Sequence, residues 1–200
     1  MFSANIDKIL RMIDKESDSF ENIAEVIMEK LNTNDKVLGI VGGGVNSVKL
    51  AYSFTRQGKR VLFIDADTDT DLFADKYKLG KSLQGYADVI SKASEKESEK
   101  DSDVSCATNI ENFNIIFTGD CRKLNHTVDE IGRIRGFIDQ YADDYDFVAV
   151  LSDGDGIAAS NCDASVLIID KEQYGEISAE ARVKELDENG CMVLGVIINE

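Results

Sequence analysis

Apolar residues along the chain follow two spacings that alternate from end to end. Val37–Val41, Val61–Ile64, Phe113–Phe117, Phe147–Leu151, Val166–Ile169 and Met192–Ile198 are short, almost continuous apolar runs rich in β-branched residues. Runs of this length predict buried strands. Between them apolar positions recur every three or four residues. Ile6, Ile9, Leu10 and Ile13, then Phe20, Ile23, Ile27 and Leu31, predict two helices within Phe2–Leu31, with Asp18 and Ser19 as N-cap residues of the second. Val48, Ala51, Tyr52 and Thr55 predict a helix from Val45 that Gly58 stops at the C′ position. Another helix begins over Leu83–Ile90. Val128, Ile131, Ile134, Phe137, Ile138 and Tyr141 mark a well-defined amphipathic one, and Ile177, Ala181, Val183 and Leu186 mark one closed by Asn189-Gly190.

Strands that are apolar throughout and alternate with helices predict a three-layer α/β/α fold around a mainly parallel sheet. Two hundred residues suffice for one such domain, expected to span 1–200 with N-terminal helices in 1–35. The segment after Asp67, with Asp69, Asp71 and Asp75, reads as a short helix or ordered loop. Ser91–Ser105 is almost wholly Ser, Lys, Glu and Asp and reads as a charged surface loop, not a second domain. In parallel α/β sheets, ligands bind at the carboxyl ends of the strands. That rule gathers Gly42–Gly44, Asp65–Asp71, Gly119-Asp120 and Ser152–Gly156.

Charge narrows the partners. The net charge is −16, from 22 basic and 38 acidic side chains. Phosphate backbones and anionic membranes select clustered Lys and Arg, so nucleic acid is excluded and membrane surfaces are disfavoured. No apolar run approaches the roughly 20 residues of a membrane span, and Met1–Leu10 lacks the pattern of a signal peptide. Cys106, Cys121, Cys162 and Cys191 are scattered without a C-x-x-C and read as reduced, buried small hydrophobes. A cytoplasmic location follows as the expectation. The lone His126 reads as a loop or cap residue.

The chemistry concentrates at Lys36–Asp67, which reads strand, glycine turn, helix, strand. A glycine turn feeding a helix N-terminus binds anions, because free N–H groups and the helix dipole point the same way. A Walker A loop needs G-x-x-x-x-G-K-[ST]. Here only Gly42, Gly43 and Gly44 separate Val41 from Val45, and no Lys-Ser or Lys-Thr follows. Aligned by its glycines, the turn puts Asn46 in the lysine's place and Ser47 in the hydroxyl's; aligned by the helix, Gly43 takes the lysine's place. Lys49 lies one turn further on. A second pattern also matches locally. Gly42-x-Gly44-x-x-Ser47 follows the dinucleotide fingerprint G-x-G-x-x-G except at its third glycine, with Asp65 near the expected ribose-binding position. That alternative implies NAD or FAD.

The rest of the chain, from about Asp18 to Asn199, resembles the bacterial tyrosine kinases (BY-kinases) of capsule and exopolysaccharide synthesis, relatives of the MinD/ParA P-loop ATPases. Gly58–Asp67 is similar to the Walker A′ strand, where the resemblance implies that Asp65 and Asp67 handle magnesium and the attacking group. Tyr145–Val150 is similar to the Walker B strand, with Leu151 where the metal-binding Asp belongs. Phe113–Gly119, Asp163–Ile168 and Gly190–Asn199 resemble further strands. Asp18–Ile23 is similar to the oligomerisation helix, but Glu21 and Ala24 replace its arginines, and the C-terminal tyrosine cluster is absent after Tyr174. The resemblance implies a P-loop fold of the MinD kind and an ATP-dependent tyrosine kinase. The missing lysine, loop length and Walker B carboxylate imply in turn that transfer is lost. Such chemistry rests on charge neutralisation at the phosphoryl group.

The expectation is a degenerate kinase-like module in polysaccharide production that works through a protein partner or self-association. ATP or ADP with magnesium is the candidate ligand, and an active kinase with an atypical loop is the second alternative. Asp65, Asp67, Asp69 and Asp71 facing Asp153 and Asp155 are candidates for Mg²⁺ or Ca²⁺, or else solvated loop acids. Tyr52, Tyr86 and Tyr141 read as core; Tyr174 is the phosphosite candidate.

Overall fold

The computed structural model describes residues 3–7, 17–70, 73–74, 77–80, 83–91, 104–170 and 178–199. Its strands are β1 (Ser3–Ala4), β2 (Val37–Gly42), β3 (Val61–Ala66), β4 (Cys106–Thr108), β5 (Phe113–Ile116), β6 (Phe147–Ser152), β7 (Ala164–Asp170) and β8 (Val193–Asn199). Its helices are α1 (Ser17–Lys30), α2 (Val45–Arg56), α3 (Tyr86–Ser91), α4 (Val128–Ala142) and α5 (Ala179–Glu188). The strands form one sheet in the order β1-β4-β5-β3-β6-β2-β7-β8. Neighbours run parallel except β4 and β5.

Side chains alternate across each strand, and both faces are covered. Leu38, Ile40, Phe63, Phe147 and Leu151 pack on one face with Phe20 and Ile27 of α1 and Ala51 and Phe54 of α2. Leu62, Ile64, Val148 and Val150 face the other way, onto Ile90 of α3 and Ile134, Phe137 and Ile138 of α4. Val41, Leu167 and Ile169 meet Leu186 of α5 on that same side. The fold is therefore the expected α/β/α sandwich.

Helix ends follow local chemistry. At α2 the Gly58 N–H donates to Thr55 O and the Lys59 N–H to Phe54 O, while Gly58 takes φ +81°, which completes a Schellman cap. Thr127 and Glu130 exchange side-chain and backbone bonds in a capping box at α4. His126 stands just outside it, in the connecting loop.

Several expectations need correction. Ser3–Ala4 is a strand paired with β4, where helix was expected from Phe2. Cys106–Thr108 is an antiparallel strand directly after the charged segment, too short and too polar to give an apolar run. The helix expected from Leu83 starts at Tyr86, because the Tyr86 and Ala87 N–H groups are bonded to Phe117 O and Thr118 O. Asp18 and Ser19 lie inside α1, which starts at Ser17, so neither is its N-cap. Val128 is 86% exposed, since it precedes the buried stripe of α4. Of the cysteines only Cys191 is buried; the other three are half-buried, and all four are free thiols. Tyr86 and Tyr141 are core residues and Tyr52 packs at the core's edge. Ile9, Leu10, Ile13, Asp71, Asp75, Tyr174, Ile177 and most of Ser91–Ser105 lie outside the described residues.

Phe54 is fully buried and stacks on Phe147 with ring centroids 3.9 Å apart. Phe54→Ala is expected to cost about 3–5 kcal/mol, read as a lowered urea midpoint with an unchanged slope.

Candidate functional site

The carboxyl ends of β2, β6 and β3 lie level. Val41 pairs with Ser152, and Ser152 with Ala66. The three segments that follow, Gly42–Gly44, Asp153–Gly156 and Asp67–Thr70, therefore emerge at one edge of the sheet.

Gly42, Gly43 and Gly44 all take positive φ, at 77°, 78° and 47°. Only glycine tolerates that run. Space is short as well. A Cβ on Gly42 would lie 2.8 Å from the Ile168 carbonyl oxygen, and one on Gly43 would lie 2.7 Å from the Ile168 side chain. At Gly44 a Cβ would meet nothing within 4 Å. The turn closes on itself. The Asn46 N–H donates to Gly43 O at 2.8 Å and the Ser47 N–H to Gly44 O at 3.2 Å. The Ser47 hydroxyl also donates to Gly44 O. The Asn46 and Ser47 amides at the start of α2 are thus engaged within the turn.

Asn46, in the lysine's place, is 8% exposed. Its amide nitrogen lies 3.4 Å from Asp170 Oδ1, which also accepts from Asn199 Nδ2 at 3.1 Å. Lys49 is turned the other way, with its ammonium 5.8 Å from the Phe20 ring centroid under α1. Leu151, in the place of the Walker B carboxylate, pairs in register with Asp65, and both are fully buried. Strand alternation puts the two on the α2 side of the sheet.

The loop acids are held individually. Asp67 accepts from the N–H groups of Asp69 and Thr70 and from the Thr70 hydroxyl at 2.6 Å. Asp153 Oδ1 accepts from the N–H groups of Gly156 at 3.1 Å and Ile157 at 3.3 Å. Burial pushes the Asp153 carboxyl above the usual range against the Ile157 bond, and the fields of Asp69, Asp155 and Asp67 push it the same way. The expected convergence of acids thus exists as mutual repulsion. Among the described residues no three His, Cys, Asp or Glu side chains approach closely enough to hold a metal ion.

The sequence reading did not single out several residues here. Asp170 and Asn199 end β7 and β8, one residue beyond the apolar runs that marked those strands. Arg182 of α5 bonds the Gly154 carbonyl, and Asn189 bonds that of Asp155 at 3.0 Å, which clamps the acidic loop. Beyond β5, Asp88 is buried and accepts from Lys123 and from the N–H groups of Gly85 and Asp120. Burial alone would raise that carboxyl, but the Lys123 bond and the two N–H groups hold it below its ordinary value. Gly119 is forced there, because a Cβ would strike the Asp88 carboxylate.

The topology disfavours the dinucleotide fingerprint. In that fold the strand carrying the ribose-binding acid lies beside the strand before the glycine turn. Here β6 separates β3 from β2.

No family model matches the chain. Over 166 residues it is 26% identical to the tyrosine-protein kinase CpsD of Streptococcus pneumoniae serotype 4, covering 80% of this chain and 70% of that protein. It is 23% identical over 207 residues to the tyrosine-protein kinase CpsD of Streptococcus agalactiae, covering 98% and 88%. The kinase domain of the Escherichia coli tyrosine kinase ETK superposes with a TM-score of 0.73 at 19% identity, over 96% of this chain and 79% of that one. Cobyrinic acid a,c-diamide synthase from Mycobacterium smegmatis, solved with ADP and magnesium, gives 0.63 at 16% identity, over 82% and 74%. By sequence and by fold, the chain is a relative of the bacterial tyrosine kinases, built on the MinD/ParA-like P-loop scaffold.

Proposed function

We propose that this chain is a kinase-like module that does not transfer phosphoryl groups and acts in the cytoplasm by binding other proteins. One observation carries the reading. At the two positions where the chemistry needs a cation and a metal-binding carboxylate, Asn46 bonds Asp170 and Leu151 is buried in the core. A second supports it: the turn's own carbonyls take the amides of Asn46 and Ser47. Loss of the lysine and the metal ligand removes the charge neutralisation on which phosphoryl transfer depends. A role in the production or export of surface polysaccharide rests on the resemblance to capsule-type kinases alone.

ATP incubated with the protein and Mg²⁺ is expected to give neither phosphate release nor phosphotyrosine above background. Turnover near the lower kinase range, about 1 per second, would overturn the reading. In a thermal-shift series, ADP with Mg²⁺, NAD and FAD at millimolar concentration are expected to leave Tm unchanged. A rise with ADP alone would restore a nucleotide site, and a rise with NAD or FAD alone would restore the dinucleotide alternative.

The acidic loop gives an independent check. A carboxyl raised in the folded state ionises more easily in the unfolded chain, so the charge on Asp153 weakens the fold at neutral pH. Asn keeps an oxygen for the Gly156 and Ile157 N–H groups. Asp153→Asn is therefore expected to raise the urea midpoint at pH 7, with the gain vanishing below about pH 4, where both states of the wild type are protonated. A resident metal would reverse the result: the variant would lose a Mg²⁺- or Ca²⁺-dependent rise in Tm.

A further inference from the structure

An apolar groove of about 420 Å³ runs between α1 and β8. That volume is in the range of small-molecule sites, roughly 300–1,000 Å³. Ile27 of α1 and Val166 of β7 are its buried floor, and the half-buried Ile23 and Leu194 are its walls. One residue keeps it open. Gly195 pairs in register with Val166 and therefore faces the same side of the sheet. A Cβ on Gly195 would meet nothing within 4 Å, so any side chain there would enter the empty space. Neither backbone nor packing asks for glycine at this position, since Gly195 does not take positive φ. Gly39, also inside a strand, differs: a Cβ there would lie 2.7 Å from Ala159, so its reason is within the fold. Glycine inside a strand weakens it and often marks a place where a ligand approaches the backbone.

Charge selects the chemistry of the ligand. Lys30 is the one ionisable side chain that lines the groove, and it makes no ion pair or hydrogen bond among the described residues. Asn22 lines the groove at the other end of the α1 stripe, about 12 Å away along the helix axis. The groove is thus an apolar trough with an unpaired cation at one end. A single-chain amphiphile with an anionic head matches both features.

We propose that the α1–β8 groove binds a free medium-chain fatty acid as its anion, with the hydrocarbon chain over Gly195 and the carboxylate at Lys30. A free acid is the source, because a net charge of −16 opposes approach to an anionic bilayer. The exposed Glu25 and Glu29 of α1 do not line the groove and stay available for contacts between copies of the chain. No residue of the glycine turn lines it either, so the site is independent of whether the turn is catalytically silent.

The test is calorimetric titration of the full chain with decanoate below its micelle concentration. Saturable binding is expected, with affinity rising about fourfold per added CH₂ from hexanoate to decanoate. Gly195→Leu, which fills the groove without a clash, is expected to weaken decanoate about tenfold or more while the urea midpoint holds or rises. Lys30→Gln is expected to weaken decanoate about two- to fivefold, as for an exposed ion pair, and to leave decanol unchanged. Affinity independent of chain length, decanol bound by the wild type as tightly as decanoate, or undiminished binding by a folded Gly195→Leu variant overturns the proposal. Should that variant fail to fold, the chain-length series and Lys30→Gln decide on the intact fold. Binding to phosphatidylglycerol vesicles without binding of free decanoate also overturns it. So does absence of decanoate binding in a dimer that Gly195→Leu dissociates in sedimentation, because a second copy then fills the groove.

Discussion

The constraint on which this end of the molecule depends is the closeness of β2 to β7 at Gly42. Gly42 pairs with Ile168 in the sheet, and neither Gly42 nor Gly43 has room for a methyl group against that residue. The chain must therefore leave the sheet through left-handed backbone and re-enter a helix within three residues. From that follow the tight bonding of Asn46 and Ser47 to the turn's carbonyls, the placement of Asn46 beside Asp170, and the burial of the first turn of α2. A longer phosphate-wrapping loop would need these contacts undone. The turn keeps the position of an anion-binding loop, with the Asn46 and Ser47 amides bonded to its own carbonyls.

Electrostatics at the same edge act in one direction. Burial holds Asp153 above its ordinary value, the fields of Asp69, Asp155 and Asp67 push it the same way, and the nearest lysine in sequence, Lys49, faces Phe20. Each acid is held by neighbouring N–H groups or left in solvent, as in turns built by Asp and Gly. Backbone donors stabilise an isolated carboxylate locally, but they do not supply the mobile positive charge that a triphosphate needs. Away from this edge, Lys123 meets the buried Asp88 beside Gly119. That pairing ties the end of β5 to α3.

Most of the architecture was legible because burial on both faces makes β2, β3, β6 and β7 apolar throughout, and such runs have few other readings. The α2 cap was legible because Gly58 has a conformational reason to be glycine. What escaped has physical reasons too. β1 and β4 are two and three residues long, and their stability comes from pairing with neighbours rather than from an apolar pattern. The start of α3 is decided by hydrogen bonds to Phe117 and Thr118, which lie more than 25 residues away in sequence. Leu151 and Asn46 could be assigned places in a motif, but what they touch could not be read. The role of Asp170 as the partner of Asn46 depends on strand register, which periodicity alone does not fix.

Leu151 also shows what the core gains at that position. A carboxylate at that position, buried beside Asp65 with no metal between them, would put two like charges side by side in the core, which the fold would disfavour strongly. A leucine there buries a full aliphatic side chain, worth roughly 1.5–3 kcal/mol. Where no metal binds, leucine at this position therefore stabilises the fold relative to an acid. The same reasoning makes the hydrophobic layers independent of the turn. Phe54 on Phe147, and Leu38 and Ile40 beneath α1 and α2, hold the sheet together whatever Gly42–Ser47 binds. The core contacts and the glycine turn thus rest on different residues.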